Sequence, residues 1–252
     1  MSSIFVIQNL SKSYGSKPVL ENLSFEVERG ECFVILGRSG SGKSVTLRQL
    51  NGLEKPDSGR VLFDGTDITG LSERELVPVR LRVAMLFQGG ALFDSMSVYE
   101  NVAFPIREHT RLAESEIRQR VHEKLAAVRL EGIESRLPAA LSGGMKKRVA
   151  LARSLALDPE VVLFDEPTTG LDPMTSATIA NLIQAARRSY EVTSIVVTHD
   201  LALARKIADR LAFMENGRFR FLGTWAEAEA SSDSLLARFL AGEEEEEDDN
   251  DS

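Results

Sequence analysis

The stretch "CFVILGRSGSGKS" (residues 32–44) decides the fold of this 252-residue chain. Its first five residues are apolar and predict a short buried strand, and "GKSVTLRQLNG" (42–52) predicts a helix directly after it. The turn between them, "GRSGSGKS" (37–44), fits the pattern GxxxxGK followed by Ser or Thr. Loops of this pattern surround phosphate groups with backbone N–H groups. A glycine-rich turn that binds nothing is the alternative, but the flanking strand and helix favour phosphate binding.

We expect this phosphate loop (37–44) to bind a nucleoside triphosphate. Lys43 should reach the outer phosphates, and the hydroxyl of Ser44 should coordinate magnesium. The residues expected to contact the phosphates here are Gly37, Arg38, Ser39, Gly40, Ser41, Gly42, Lys43, Ser44 and Val45.

Polar residues follow three further apolar runs. "VVLFDEP" (161–167) predicts a buried strand that ends at Asp165 and Glu166. Gln88 ends the run "VAMLFQ" (83–88), and His199 directly follows the run "SIVVT" (194–198). Because ligands of parallel sheets lie beyond the carboxyl ends of the strands, we expect these side chains at one edge with the phosphate loop. Asp165 would then hold magnesium through water, and Glu166 would polarise the attacking water as a general base.

The order of the predicted elements indicates one α/β unit with an insertion. Strand-like runs fill the first 90 residues, helix-like segments follow, and strands then alternate with helices again, which predicts a mostly parallel sheet covered by helices. The last two strand-like runs, in "RLAFMENGRFRFLG" (210–223), predict a hairpin with an Asn-Gly turn. The helix "ESEIRQRVHEKLAAVRL" (114–130) places Ile117, Val121, Leu125 and Val128 on one face. The expected division of a single domain over 1–242 is a core of about 1–90 and 158–225, a helical subdomain of about 91–157 and a C-terminal helix of about 226–241.

Composition and charge narrow the class of protein. The 43% apolar and 27% charged residues are typical of a globular domain, and no apolar run approaches the roughly 18 residues of a membrane span. A single cysteine, Cys32, predicts a buried thiol, and no secretory signal is recognisable, so a cytoplasmic protein is expected.

The net charge of −8 is concentrated at the C-terminus. Residues 243–252 hold eight of the 38 acids, which leaves 30 acids against 30 Lys and Arg in residues 1–242. A formally neutral body gives no electrostatic reason to expect nucleic acid as a partner. We expect the acidic tail to be disordered and solvated, and docking to a basic partner is the alternative.

The motifs together resemble one family. The phosphate loop, Gln88, "LSGGM" (141–145), "LFDEP", "TGLD" (169–172) and His199 stand in the order found in the nucleotide-binding subunits of ABC transporters. The resemblance spans about residues 4–225. It implies a RecA-like P-loop NTPase core with N-terminal antiparallel β elements, an inserted helical subdomain, and hydrolysis of ATP with Mg²⁺.

The resemblance also implies roles for single residues. Tyr14 would stack on the adenine with Val19 beside it, and the catalytic set would be Glu166, His199, Gln88 and Lys43. His199 would contact the γ-phosphate. The residues implied for Mg²⁺ are Ser44, Gln88 and Asp165.

A second phosphate-binding turn points to a dimer. In the family the LSGGM turn (141–145) completes the site of a second subunit, so ATP lies between two chains of a homodimer. The residues that would contact ATP in trans are Ser142, Gly143, Gly144, Met145 and Asp172.

A narrower resemblance rests on "LFQGGALFDSMSVYENVAFPIREHT" (86–110) and on Met145, where glutamine is common. Both are similar to the ATPases of Mla-type phospholipid transport in Gram-negative bacteria. This implies a position on the cytoplasmic face of the inner membrane, with an Mla-type integral membrane permease, an MCE-domain lipid-binding protein and a STAS-domain subunit as partners.

Three departures from the general family pattern, Val45, Met145 and Gly170, remove no catalytic group, so an active ATPase is expected. Alternatives are an ABC subunit for another solute, a non-transport ABC protein and a catalytically silent binding module. The presence of Glu166 and His199 argues against the silent module, and the neutral body argues against action on nucleic acid.

Overall fold

The computed structural model describes residues 2–243, which form ten strands and nine α-helices within that range. The strands are β1 (Ser3–Tyr14), β2 (Lys17–Glu28), β3 (Cys32–Leu36), β4 (Ser58–Phe63), β5 (Thr66–Asp67), β6 (Val83–Leu86), β7 (Val161–Asp165), β8 (Thr193–Thr198), β9 (Arg210–Glu215) and β10 (Arg218–Gly223). The helices are α1 (Lys43–Leu50), α2 (Glu73–Arg82), α3 (Val98–His109), α4 (Glu114–Ala127), α5 (Gly143–Ser154), α6 (Pro173–Tyr190), α7 (Leu201–Ile207), α8 (Trp225–Glu229) and α9 (Ser234–Ala241).

Two sheets form the framework. The larger has the order β10-β9-β3-β8-β7-β6, and all its neighbouring strands are parallel except the β9–β10 pair. The smaller has the order β2-β1-β4-β5 and is antiparallel. This confirms the predicted mostly parallel core with antiparallel elements at the N-terminus.

The central strand β3 shows why its sequence is apolar throughout. Cys32, Val34 and Leu36 pack into the core on the helical side, whereas Phe33 and Ile35 pack into the core shared with α1 and the antiparallel sheet. All five side chains are buried, because helices cover one face of the strand and a second sheet covers the other. Burial also raises the pKa of the Cys32 thiol to about 12, which fits the predicted structural role.

The helical insertion consists of α3, α4 and α5, which contact one another. The predicted apolar face of α4 is confirmed, since Ile117, Val121 and Leu125 are all buried, as is Val128 just after the helix. Ser97 begins α3 with a capping box that includes Glu100.

Two predictions about single elements need correction, and one helix was not predicted. Residues 226–241 form two helices, α8 and α9, because Asp233 caps the start of α9 and its own N–H donates to Ser231 Oγ. The helix α2 was not predicted, although Ser72 and Glu75 form a capping box at its start. Strand β6 ends at Leu86, so Gln88 lies two residues beyond it.

The predicted hairpin of β9 and β10 is confirmed, and its turn residues Asn216 and Gly217 have φ angles of 47° and 73°, as a tight hairpin turn requires. The predicted acidic tail lies outside the described residues except for Glu243. Within residues 2–243, no helix has the length and apolar character needed to cross a bilayer.

Candidate active site

The phosphate loop leaves the end of β3 and enters α1 at Lys43. Two of its glycines, Gly37 and Gly42, are required by close backbone contacts. A Cβ atom on Gly37 would lie 2.4 Å from the Met214 carbonyl oxygen, and one on Gly42 would lie 2.8 Å from the Val19 carbonyl oxygen. Gly42 also has a φ of 109°, which side chains disfavour. The loop is therefore pressed between the end of β9 and β2, which fixes its curvature.

The turn of the β9–β10 hairpin supports the loop from behind. The Gly217 N–H donates to the Ser41 carbonyl at 3.1 Å, and the Glu21 N–H of β2 donates to the Gly217 carbonyl at 2.9 Å. The sequence predicted this hairpin but not its contact with the phosphate loop, because the two segments are far apart in the chain. Only the order of strands in the sheet brings them together.

Lys43 lies across the mouth of the phosphate loop. Its ammonium donates to the carbonyls of Gly37 at 2.7 Å and Arg38 at 2.8 Å, and lies 3.6 Å from Glu166 Oε1. The side chain is 5% exposed, and this burial lowers its pKa, while the nearby Glu166 opposes that shift. A cation is thus held between the loop and the acidic strand end, where phosphate oxygens would need it.

Ser44 and Asp165 meet across the sheet edge. The Ser44 hydroxyl donates to Asp165 Oδ1 at 2.6 Å. Asp165 ends β7, and burial raises the pKa of its carboxyl group. This pair offers only oxygen atoms, the donor type that Mg²⁺ prefers, so the residues present fit a magnesium ion shared with phosphate.

Glu166 follows Asp165 in a strained backbone conformation, with a φ of 47°. Its Oε2 accepts hydrogen bonds from Thr169 Oγ1 at 3.2 Å and Thr198 Oγ1 at 3.3 Å, and lies 3.0 Å from Nδ1 of His199. The carboxylate is therefore held by groups from two strand ends. Backbone strain of this kind is typical of functional sites.

These side chains border one cleft of about 1850 Å³. The residues that line it are Val19, Arg38, Ser39, Gly40, Gly42, Lys43, Ser44, Val45, Gln88, Glu166, Thr169, His199, Leu201, Arg238, Phe239, Gly242 and Glu243. Most of the residues predicted to contact ATP in cis are among them. Gly37, Ser41 and Asp165 support the cleft without lining it.

The sequence did not predict that the end of α9 lines this cleft. Phe239 packs against Phe213 of β9, with ring centroids 4.9 Å apart, and this contact brings Arg238 and Gly242 to the cleft wall. The only sequence signal was the apolar spacing of the helix. That spacing predicts burial but gives no location.

Two groups of residues predicted to contact ATP do not line the cleft. Tyr14 is 47% exposed at the end of β1, and its hydroxyl donates to Glu54 rather than lining the cleft. Its stacking on adenine stays a prediction. The residues predicted to act in trans are also absent from the cleft lining: Ser142, Gly143, Gly144, Met145 and Asp172.

The LSGGM turn packs against the start of α6. Ser142 caps α5 and accepts a hydrogen bond from the Met145 N–H at 3.3 Å, and Asp172 caps α6 by accepting one from the Thr175 N–H at 3.0 Å. A Cβ on Gly144 would lie 2.4 Å from Thr175 Cγ2. The two helix starts thus form one surface, separate from the residues that line the phosphate cleft.

A mostly parallel sheet, a phosphate loop, an acidic strand end and an inserted helical lobe with a second glycine-rich turn at a helix start define an ATP-binding cassette. The ABC transporter family matches residues 20–169, and the chain belongs to this family. It is an ABC-type ATPase subunit.

Among curated relatives, the chain is 44% identical to the intermembrane phospholipid transport system ATP-binding protein MlaF of Haemophilus influenzae, over 96% of this chain and 91% of the relative. It is 43% identical to the probable ribonucleotide transport ATP-binding protein mkl of Mycobacterium leprae, over 94% of this chain and 68% of the relative.

Solved structures show the same fold. A dimeric ATP-binding cassette in a post-hydrolysis state, bound to ADP and Pi, is 32% identical, with a TM-score of 0.82 over 87% of this chain and 98% of that one. The structure of cbiO1 from Clostridium perfringens is 33% identical, with a TM-score of 0.84 over 95% of this chain and 96% of that one.

Proposed function

We propose that this chain hydrolyses ATP as a homodimer and thereby drives phospholipid transport by a membrane permease. The observation that carries the hydrolytic part is the cluster of Lys43, Glu166 and His199 at the carboxyl ends of parallel strands. The cargo is inferred from the similarity to the MlaF proteins of Haemophilus influenzae and, at 39% identity, of Escherichia coli.

Within this proposal the phosphate loop and Val45 bind the phosphates of ATP. Ser44, Asp165 and Gln88 hold Mg²⁺, which would neutralise charge on the phosphates. Glu166 accepts a proton from the attacking water, and His199, 3.0 Å from that carboxylate, contacts the γ-phosphate. Tyr14 and Val19 contact the adenine.

The second half of each site comes from another copy of the chain. The LSGGM turn does not line the phosphate cleft of its own chain, yet its helix start is suited to an anion. A two-fold dimer would bring this turn to the partner's phosphate loop, and a dimeric cassette is among the structural relatives. Ser142, with Gly143 and Gly144, would then contact the γ-phosphate in trans, with Met145 and Asp172 beside it.

The proposed partners follow from the same similarity. They are an Mla-type permease, an MCE-domain lipid-binding protein and a STAS-domain subunit, with the ATPase on the cytoplasmic face of the inner membrane. Transport of ribonucleotides is the second candidate, because the mycobacterial relative named for it is almost as similar.

Purification of the tagged chain from native membranes, in mild detergent, tests the cargo. We expect a permease and an MCE-domain protein to co-purify together with bound phospholipid. Recovery of a permease that binds ribonucleotides, or of a sugar or amino-acid permease, would contradict the lipid assignment. A parallel purification of the Lys43→Ala variant is the control, since the loss of ATP hydrolysis should leave the complex intact.

A further inference from the structure

A buried lysine joins the helical lobe to the base of the active site. Lys147 lies on α5, five residues after Ser142, and is 7% exposed. Its ammonium donates to the backbone carbonyl of Gln88 and, at 3.3 Å, to the backbone carbonyl of Glu166. One side chain of the lobe therefore contacts the backbone of Glu166, the proposed base, and of Gln88, which is proposed to hold Mg²⁺.

The hydrogen bond from Lys147 is made to a residue whose backbone conformation is strained. Glu166 adopts a φ of 47°, a conformation that costs free energy in a residue other than glycine. Its N–H donates to the Val197 carbonyl at 3.0 Å, and its own carbonyl accepts from the Lys147 ammonium and from the Thr169 N–H, each at 3.3 Å. With both backbone groups bonded, the direction in which the Glu166 carboxylate leaves the chain is fixed.

Keeping a cation in this position is costly without such partners, because a buried ammonium loses its hydration. Burial lowers the pKa of Lys147, and the nearby carboxylates Asp165 and Glu166 oppose that shift. Lys147 does not line the phosphate cleft, so it has no direct route to the nucleotide in its own chain.

We propose that Lys147 is a positioning residue, which holds the backbone of Glu166 and Gln88 in the geometry needed for hydrolysis and makes that geometry depend on the placement of α5. The inference rests on the proposed roles of Glu166 and Gln88. It adds a link between the lobe that carries the LSGGM turn and the general base at the sheet edge.

A second cation on the same helix provides a comparison. Arg153 donates to the carbonyls of Gly90 and Ala91, both at 2.8 Å, and so holds the segment after Gln88 without a contact to Glu166. Lys124 on α4 is an equally buried lysine, 3% exposed, whose ammonium pairs with Asp158 away from the cleft. Variants of Arg153 and Lys124 therefore serve as controls. Loss of Arg153 removes support from the segment after Gln88, and loss of Lys124 removes a buried lysine, and neither residue is bonded to Glu166.

The test is ATP hydrolysis by the full chain with saturating Mg²⁺, measured for Lys147→Met, Lys147→Arg and Lys124→Met. We expect Lys147→Met to lower kcat by about ten- to a hundredfold, with the KM for ATP close to wild type, because a buried hydrogen-bond partner is lost. Lys147→Arg should recover part of kcat, since it keeps the donors. Lys124→Met should keep wild-type kcat.

The Glu166→Gln background shows whether Lys147 acts through Glu166. There Lys147→Met should cause little further loss in single-turnover hydrolysis, whereas Arg153→Gln, which acts on the segment after Gln88, should lower hydrolysis by the same factor in the wild-type and the Glu166→Gln backgrounds. Wild-type kcat in Lys147→Met, a change in KM alone, or an undiminished loss in the Glu166→Gln background would each overturn the inference. Wild-type hydrolysis by Glu166→Gln itself would instead overturn the proposed base, and the positioning role with it.

Discussion

Two helices of this chain begin at glycine-rich turns suited to phosphate, and their surroundings differ. The loop before α1 is enclosed by Met214 and Val19, and its lysine faces an acidic strand end. The start of α5 is capped by Ser142, which is exposed, and packs on α6. The first turn lies inside a cleft with the proposed catalytic groups, whereas the residues of the second do not line that cleft. In the proposed homodimer, the second turn meets the phosphate loop of a partner chain, which accounts for its separation from the cleft of its own chain.

The largest effect should come from the phosphate loop. Lys43→Ala removes the only cation that contacts both the loop carbonyls and Glu166 among the described residues, so charge on the outer phosphates would lose its closest partner. We expect ATP hydrolysis to fall by at least about a hundredfold. A colorimetric phosphate assay measures it, with Lys55→Ala, an exposed lysine, as the control. Wild-type turnover would exclude this loop as the site.

Glu166→Gln should separate binding from hydrolysis. The amide keeps most of the volume of the carboxylate but cannot accept the water's proton, so hydrolysis should fall by about a hundredfold or more while ATP still binds. An ATP-bound dimer should then accumulate and be visible by size-exclusion chromatography with light scattering. A monomer at saturating ATP and Mg²⁺ would contradict the shared site.

The LSGGM turn can be tested without loss of its helix cap. Asp and Asn cap helices as well as Ser does, so Ser142→Asp and Ser142→Asn should both leave the fold intact. Only Ser142→Asp places a negative charge where the partner's γ-phosphate is expected, and we expect it to lower hydrolysis by about tenfold or more relative to Ser142→Asn. Equal rates for the two variants would place the phosphate elsewhere.

The smallest expected effects are on the free energy of unfolding. One glycine substitution in each turn allows a direct comparison of the two turns. Gly42→Ala places a Cβ 2.8 Å from the Val19 carbonyl oxygen at a φ of 109°, and should lower the free energy of unfolding by about 1–3 kcal/mol. Gly143→Ala meets only Leu171 at 3.6 Å and should change it by less than about 0.5 kcal/mol. Thermal unfolding of both variants measures the difference. Equal destabilisation would mean that the two turns are equally enclosed.

The sequence predicted those parts of the site that depend on local patterns. A strand, a glycine loop and a helix follow one another at 32–52, and the strand that ends at Asp165 carries its own apolar signal. The carboxyl ends of parallel strands then had to meet at one edge.

What the sequence could not predict depends on contacts between distant segments. The place of Phe239 at the cleft follows from its packing on Phe213, and the role of the Gly217 turn follows from the strand order. The left-handed backbone of Glu166 has no local signal, because glutamate rarely adopts it. Lys147 resembles any helical lysine in sequence, and only the packing of α5 brings it to two backbone carbonyls.

The central claim is that each site is made by two chains, and a mixing experiment tests it most directly. Lys43→Ala has an intact LSGGM turn, and Ser142→Asp has an intact phosphate loop, so a dimer with one chain of each contains one complete shared site. We predict that hydrolysis in an equimolar mixture rises well above the mean of the two separate variants. A mixture that never exceeds that mean would contradict the shared site.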